Sequence, residues 1–354
     1  MARFGFLVVA SQLPDMIHDA RVLQDDFLPR EVVHRHNEMN HLSAALEPVV
    51  DGGRPEDVLI EGPSGAGKTC IARYAVSELE SEVIDIESQY IDCWQHSNHF
   101  RILYKILEGV STTYDIHRST PRDEMIRRLE EIDHPYILIL DEVDQAEDED
   151  LLRELYGIPE ISTILIANRK RDIVGTLDER LQSRLRSTTT VQFDSYTNDE
   201  LEAILNDRIA WGLDPDAITD DQVTHIATAA TGDARDAIGI LRSAARNAEH
   251  EGAERIQSAH IEAAIPEARA MIRQKSLEKL TAHQRVVYDI LDDHGPLSPK
   301  ELYAQYQSEV EDPRTKRTLT NYLGKLEQYN LVAAEGRGPS RTYRVITRKS
   351  ASPQ

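Results

Sequence analysis

At 354 residues the chain is long enough for two or three domains. Its formal net charge of −22 argues against a body that holds nucleic acid by charge alone, and Cys70 and Cys93 are too few for a disulfide scaffold or a metal cluster. No apolar run reaches the length of a membrane span, and FGFLVVA at 4–10 is too short and too poorly flanked for a signal peptide, so a cytoplasmic protein with no membrane partner is expected.

The charge is unevenly spread. Residues 311–354 carry nine Arg or Lys against four acids, a net +5, which leaves −27 on the rest. An acidic body with a basic end predicts one DNA-facing, chromosome-associated module. The 62 acids, only 9 Lys among 40 basic residues, and 5 Phe suit a cytoplasm with molar salt, where screening removes most charge repulsion. Screening also weakens phosphate attraction, so DNA binding there leans on shape fit, base contacts and protein–protein contacts.

Residues 1–26 give no clear role, with 4–10 reading as a strand or a helix docked on the body. A helix is predicted over 31–49. Five short apolar segments then recur at 58–61, 83–86, 136–140, 161–166 and 190–193 with helical patterns between them, which predicts an α/β fold with a parallel five-stranded sheet. The first segment runs into Gly62-Pro63-Ser64-Gly65-Ala66-Gly67-Lys68-Thr69, a complete phosphate-binding loop. Its backbone N–H groups wrap the phosphates of ATP or ADP, Lys68 reaches the β/γ oxygens, and Thr69 ligates Mg²⁺. Cys70 follows in the first turn of the next helix and completes this nucleotide-contacting run.

The third segment, YILILDEVD, delivers Asp141 and Glu142 to the carboxyl end of the sheet, where ligands bind in such folds. Asp141 is expected at the Mg²⁺ site beside Thr69, and Glu142 is expected to polarise the attacking water. The fourth segment ends in Asn168, a candidate γ-phosphate sensor. In LDERLQSRL, Arg180 and Arg184 lie four apart on one side of a helix, placed to reach a neighbouring subunit's phosphate. Segments 199–211, 220–230, 233–249 and 258–273 predict an all-helical domain. There TGDAR puts Arg235 in a helix's first turn, unfavourable for the dipole unless it meets a nucleotide.

Residues 281–346 read as a winged helix. Its third helix, 314–329, buries Leu319, Leu323 and Leu326 and turns Arg314, Arg317, Asn321 and Lys325 to the other face, as a major-groove reader does. A hairpin follows whose tip carries Arg337 and Arg341, suited to minor-groove or phosphate contact. Residues 347–354 read as a disordered tail.

The order GPSGAGKT, ILILDEVD, ILIAN, LDERLQSRL and TGDAR resembles that of an AAA+ ATPase with its helical lid. FLPREVVHRHNEM, YIDCWQHSNHFRILYKIL and the winged-helix-like end narrow the resemblance to the archaeal replication initiators of origin-recognition and cell-division-control type, here with a halophile's composition. The resemblance implies a core over 27–195, a lid over 196–275, and Pro29, Val33 and Arg35 near the adenine. It also implies slow regulatory hydrolysis of ATP, binding of double-stranded DNA at replication origins, and loading of the replicative helicase, with initiator paralogues or self-association on DNA as further contacts. Arg184 matches the trans-acting arginine of the wider superfamily, Arg180 that of the initiators and Arg235 the lid sensor. Residues 99–130, a DNA-contacting insertion in the family, mix Asp and Glu with Arg. A clamp-loader-like or branch-migration ATPase and a nucleotide-gated transcription regulator share the motifs.

Overall fold

The structure, a computed structural model, describes residues 16–110, 116–117, 119–146, 150–170, 173, 178–336 and 338–346. The expectations for 4–10, Arg337 and the 347–354 tail fall outside these residues. Contacts divide the chain into two units, 1–268 and 269–354.

In the first unit the strands are β1 (Val58–Glu61), β2 (Glu87–Asp92), β3 (Tyr136–Asp141), β4 (Ile161–Ala167) and β5 (Thr189–Gln192). They pair in parallel in the order β2-β3-β4-β1-β5. Strand side chains alternate between faces, and the two cores follow that alternation. Leu59, Leu138, Leu140 and Leu165 pack on one side with α3 (His99–Glu108), α4 (Arg122–Leu129), α5 (Asp150–Leu155) and α6 (Glu179–Ser187). Val58, Ile60, Ile137, Ile139, Ile164 and Ile166 pack on the other with α1 (His36–Leu46) and α2 (Lys68–Glu82). Central strands β3 and β4 are buried throughout, hence their unbroken apolar runs.

The second strand corrects the reading of 83–86. Those residues form the turn after α2, where Ile84 is almost fully exposed, and the strand is the more polar ESQYID. It lies at the edge of the sheet, so its outward side chains need not be apolar. The 31–49 helix starts only at His36, because Arg35 adopts a left-handed conformation (φ 78°).

The lid comprises α7 (Asn198–Gly212), α8 (Asp220–Ala230), α9 (Ala234–His250) and the first part of α10 (Ser258–Glu278). The Thr197 and Glu200 capping box starts α7, and the Asp233 carboxylate caps α9. Residues 16–27 have a structural role that the sequence did not show. Met16 and Leu23 enter the lid core, and buried Arg208 donates to the carbonyls of Val22 (2.8 Å) and Phe27 (3.2 Å). Arg242 binds the Leu23 carbonyl and Asp25.

The second unit holds α11 (Ala282–His294), α12 (Pro299–Glu309), α13 (Lys316–Gln328) and an antiparallel hairpin of β6 (Val332–Glu335) and β7 (Thr342–Val345). Val287, Leu302, Leu319, Leu323, Leu326 and Tyr343 form its core, an arrangement consistent with the winged helix expected.

Candidate active site

The phosphate loop leaves β1 and enters α2, whose N-cap is Gly67 in left-handed conformation (φ 91°). A β-carbon there would lie 2.4 Å from the Tyr196 hydroxyl, and one at Gly65 would lie 1.9 Å from Oδ1 of Asp233. The lid therefore touches the loop directly, and the Ala234 N–H also donates to the Gly65 carbonyl (3.1 Å).

Lys68 is buried, and its ammonium donates to the carbonyls of Gly62 (2.7 Å) and Pro63 (2.7 Å) and to Oδ1 of Asn168 (3.0 Å). Thr69 donates to Oδ2 of Asp141 (2.6 Å), and Oδ1 accepts the Glu142 N–H (2.9 Å). Glu142 itself is left-handed (φ 53°), a conformation that costs an ordinary residue on the order of 1 kcal/mol and recurs at functional sites. Burial pushes the Lys68 ammonium down to about 8; the Asp141, Glu142 and Asp233 carboxylates oppose this, and Arg235 adds repulsion. Loop, Asp141, Glu142 and Asn168 thus share one crevice at the carboxyl end of the sheet, and Arg235 follows Asp233 and Ala234, which touch the loop. Thr69 and Asp141 offer hard oxygen donors of the kind Mg²⁺ takes.

The other expected residues have the following surroundings. The Arg35 guanidinium stacks 4.1 Å from the Tyr196 ring centroid and binds the Asp194 carbonyl and Glu38. It thereby ties the segment before α1 to the link between β5 and the lid. Val33 is exposed and Pro29 half-buried. Burial raises the Cys70 thiol, which keeps it protonated. Arg180 is exposed on α6. Arg184 is committed within its own chain: it pairs with Asp57 (2.9 Å), donates to the Tyr156 carbonyl and stacks over the Tyr156 ring (4.0 Å). Asp57 precedes β1, at the end of the sheet opposite the loop, roughly 13 Å away along four strand residues. The helical spacing of the two arginines is real, but it could not tell which end of the sheet each would serve.

Tyr196 and Tyr90 were not singled out from the sequence. Asp233 and Tyr196 lie far along the chain from the loop they touch, and the Tyr90 hydroxyl donates to Asp141 Oδ2 (3.0 Å) from the edge strand. In the 99–130 region, Arg127 and Arg128 are paired with Glu124 and Arg122 with Glu154.

In the second unit, the helix expected over 314–329 spans Lys316–Gln328; Arg314 just before it and Lys316, Arg317 and Asn321 on it are exposed. Lys325 is half-buried instead, its Nζ 5.9 Å from the Tyr329 ring centroid. Arg341 turns back to Glu327 on α13 (2.9 Å), so the basic face is centred on the amino-terminal half of that helix.

Residues 31–166 match the AAA ATPase domain, and residues 202–266 match the Cdc6 AAA+ ATPase-type lid domain. Two proteins of Halobacterium salinarum are similar over most of their length. ORC1-type DNA replication protein 9 is 48% identical over 94% of both chains. ORC1-type DNA replication protein 1 is 47% identical over 86% of this chain and all of that one. The chain belongs to the family of ORC1-type DNA replication proteins. Among solved structures, the Aeropyrum pernix ORC1 protein in complex with DNA is similar with a TM-score of 0.73 and 26% identity, over 94% of each chain. This ORC1-type chain therefore carries an AAA+ ATPase domain, which implies use of ATP and Mg²⁺. Among its described residues no helix is long and apolar enough to cross a membrane.

Two outcomes are expected. Phosphates raise the Lys68 pKa on binding, so ATP binding takes up a proton once pH exceeds about 8. Affinity should be level below that pH and fall by up to about tenfold per unit above it, measured by calorimetric titration from pH 7 to 9.5. Arg184→Ala should destabilise the isolated chain by roughly 1–3 kcal/mol, because it leaves Asp57 without its cation, whereas Arg180→Ala should not; thermal melts of dilute protein compare the two.

Proposed function

We propose that this chain recognises replication-origin DNA under the control of bound ATP and helps to recruit the replicative helicase. The observation that carries the reading is the direct contact of loop and lid, where the Ala234 N–H donates to the Gly65 carbonyl (3.1 Å), with Lys68 on the loop side and Arg235, next to Ala234, on the lid side. Nucleotide phosphates placed between two cations, one on each side of that contact, would stabilise the closed lid.

Hydrolysis follows from the same residues. Glu142 orients and polarises water, the Asn168 amide N–H donates to the γ-phosphate while its oxygen holds Lys68, and Lys68 with Arg235 stabilises the charge that develops on the phosphoryl oxygens. Thr69 and Asp141 would hold Mg²⁺, which neutralises charge on the β- and γ-phosphates when bound. Arg180, exposed on α6, suits contact with a neighbouring subunit or initiator paralogue. A switch needs few turnovers, so hydrolysis is slow.

DNA binding rests on the exposed basic start of α13 and on the likeness to an ORC1 protein whose structure was determined with DNA. Arg317 and Asn321 suit base edges, while Arg314, Arg341 and Arg337 suit the phosphates. The protein works in the cytoplasm, on the chromosome.

Glu142→Gln should retain ATP binding and lose most phosphate release, measured on the same preparation; wild-type hydrolysis would move the water-orienting role to another group. Asn321→Ala should narrow the difference in affinity between specific and random duplexes by about 1–3 kcal/mol. Arg314→Ala should instead weaken both and flatten the salt dependence. Titrations over a salt series separate the two, and undiminished specific binding after deletion of residues 281–354 would place recognition on the ATPase body.

A further inference from the structure

One polar side chain in the crevice has no place in the ATPase motifs. Tyr90 lies on β2, the edge strand, in register with Ile139 of β3, two residues before the Asp92–Asp141 pair. Strand alternation sends Ile91 into the core and leaves the Tyr90 ring on the opposite face, 5.4 Å from the Arg73 guanidinium of α2. Its hydroxyl donates to Asp141 Oδ2 (3.0 Å), the oxygen that also accepts the Thr69 proton (2.6 Å). With the Glu142 N–H on Oδ1, Asp141 is held by three donors: one from the loop, one from the residue just after its own strand and one from the neighbouring strand.

These three donors respond differently to a cation. Thr69 must turn an oxygen lone pair toward Mg²⁺, and Mg²⁺ tolerates little departure from octahedral geometry. The Glu142 N–H belongs to a strained residue that has its own work. Tyr90 is the donor with no other duty in the site. An ordinary phenol is protonated at neutral pH, so it stays a donor.

We propose that Tyr90 is a positioning residue for the Mg²⁺ site, fixing the Asp141 carboxylate in the orientation the cation requires as the Thr69 hydroxyl is re-aimed. This rests on the reading that Thr69 and Asp141 hold Mg²⁺. Partners behind a metal ligand are typically worth ~10-fold or more in metal affinity, and the hydroxyl is the only atom removed by Tyr90→Phe.

The test is a Mg²⁺ titration of the full-length protein with a fluorescent ATP analogue, alongside binding of the same analogue in EDTA. Tyr90→Phe should raise the Mg²⁺ midpoint ~10-fold and leave binding in EDTA and the nucleotide-free melting temperature unchanged. Tyr90→Gln, which returns an N–H donor, should bring the midpoint back toward wild type. An unchanged midpoint in Tyr90→Phe overturns the proposal. An equal loss of binding in EDTA also overturns it, making the residue a support of the loop. Asp141→Asn is the control: if it too keeps the wild-type midpoint, the assignment of the metal to Asp141 has failed, not the role of Tyr90 alone.

Discussion

A lysine ammonium removed from water costs several kcal/mol unless other groups take the place of its hydration shell. Lys68 meets that requirement with two loop carbonyls and the Asn168 amide oxygen. This ties the phosphate loop to the tip of β4, its neighbour in the sheet. Much of the site depends on that arrangement. The amide that would meet a γ-phosphate already points to the loop lysine.

The ATPase motifs were legible because phosphate chemistry needs consecutive backbone N–H groups, and consecutive residues leave a string. The sheet was legible where strands are buried on both faces: Tyr136–Asp141 and Ile161–Ala167 could hardly be anything else. The edge strand was misplaced because ESQYID need satisfy only one apolar face, while the neighbouring VIDI reads better and packs worse. Residues 16–27 were opaque for a different reason. They are anchored largely through carbonyls that Arg208 and Arg242 recognise, and a carbonyl has no residue type. Helical geometry correctly placed Arg317 and Asn321 on the exposed face of α13. It could not foresee that a flexible lysine at 325 would lie along Tyr329.

The acidity of the chain shapes what its arginines can do. In residues 99–130, Arg122, Arg127 and Arg128 are matched by glutamates within the ATPase body, which leaves little excess charge there for a polyanion. The beginning of α13 differs: Arg314, Lys316 and Arg317 come within four residues and stand exposed. In strong salt, where long-range attraction is short-lived, a dense local cluster serves better than a diffuse field.

Gly65 has a meaning beyond the motif that contains it. The space a β-carbon would need at this position is filled by the Asp233 carboxylate, 1.9 Å away, so the residue is constrained by the lid as well as by the phosphates. It acts as a gauge block: any side chain here would set a minimum gap between loop and lid, and the width of that gap would scale with the size of the side chain. A graded series at this one position would thus turn lid closure from a two-position movement into an adjustable distance.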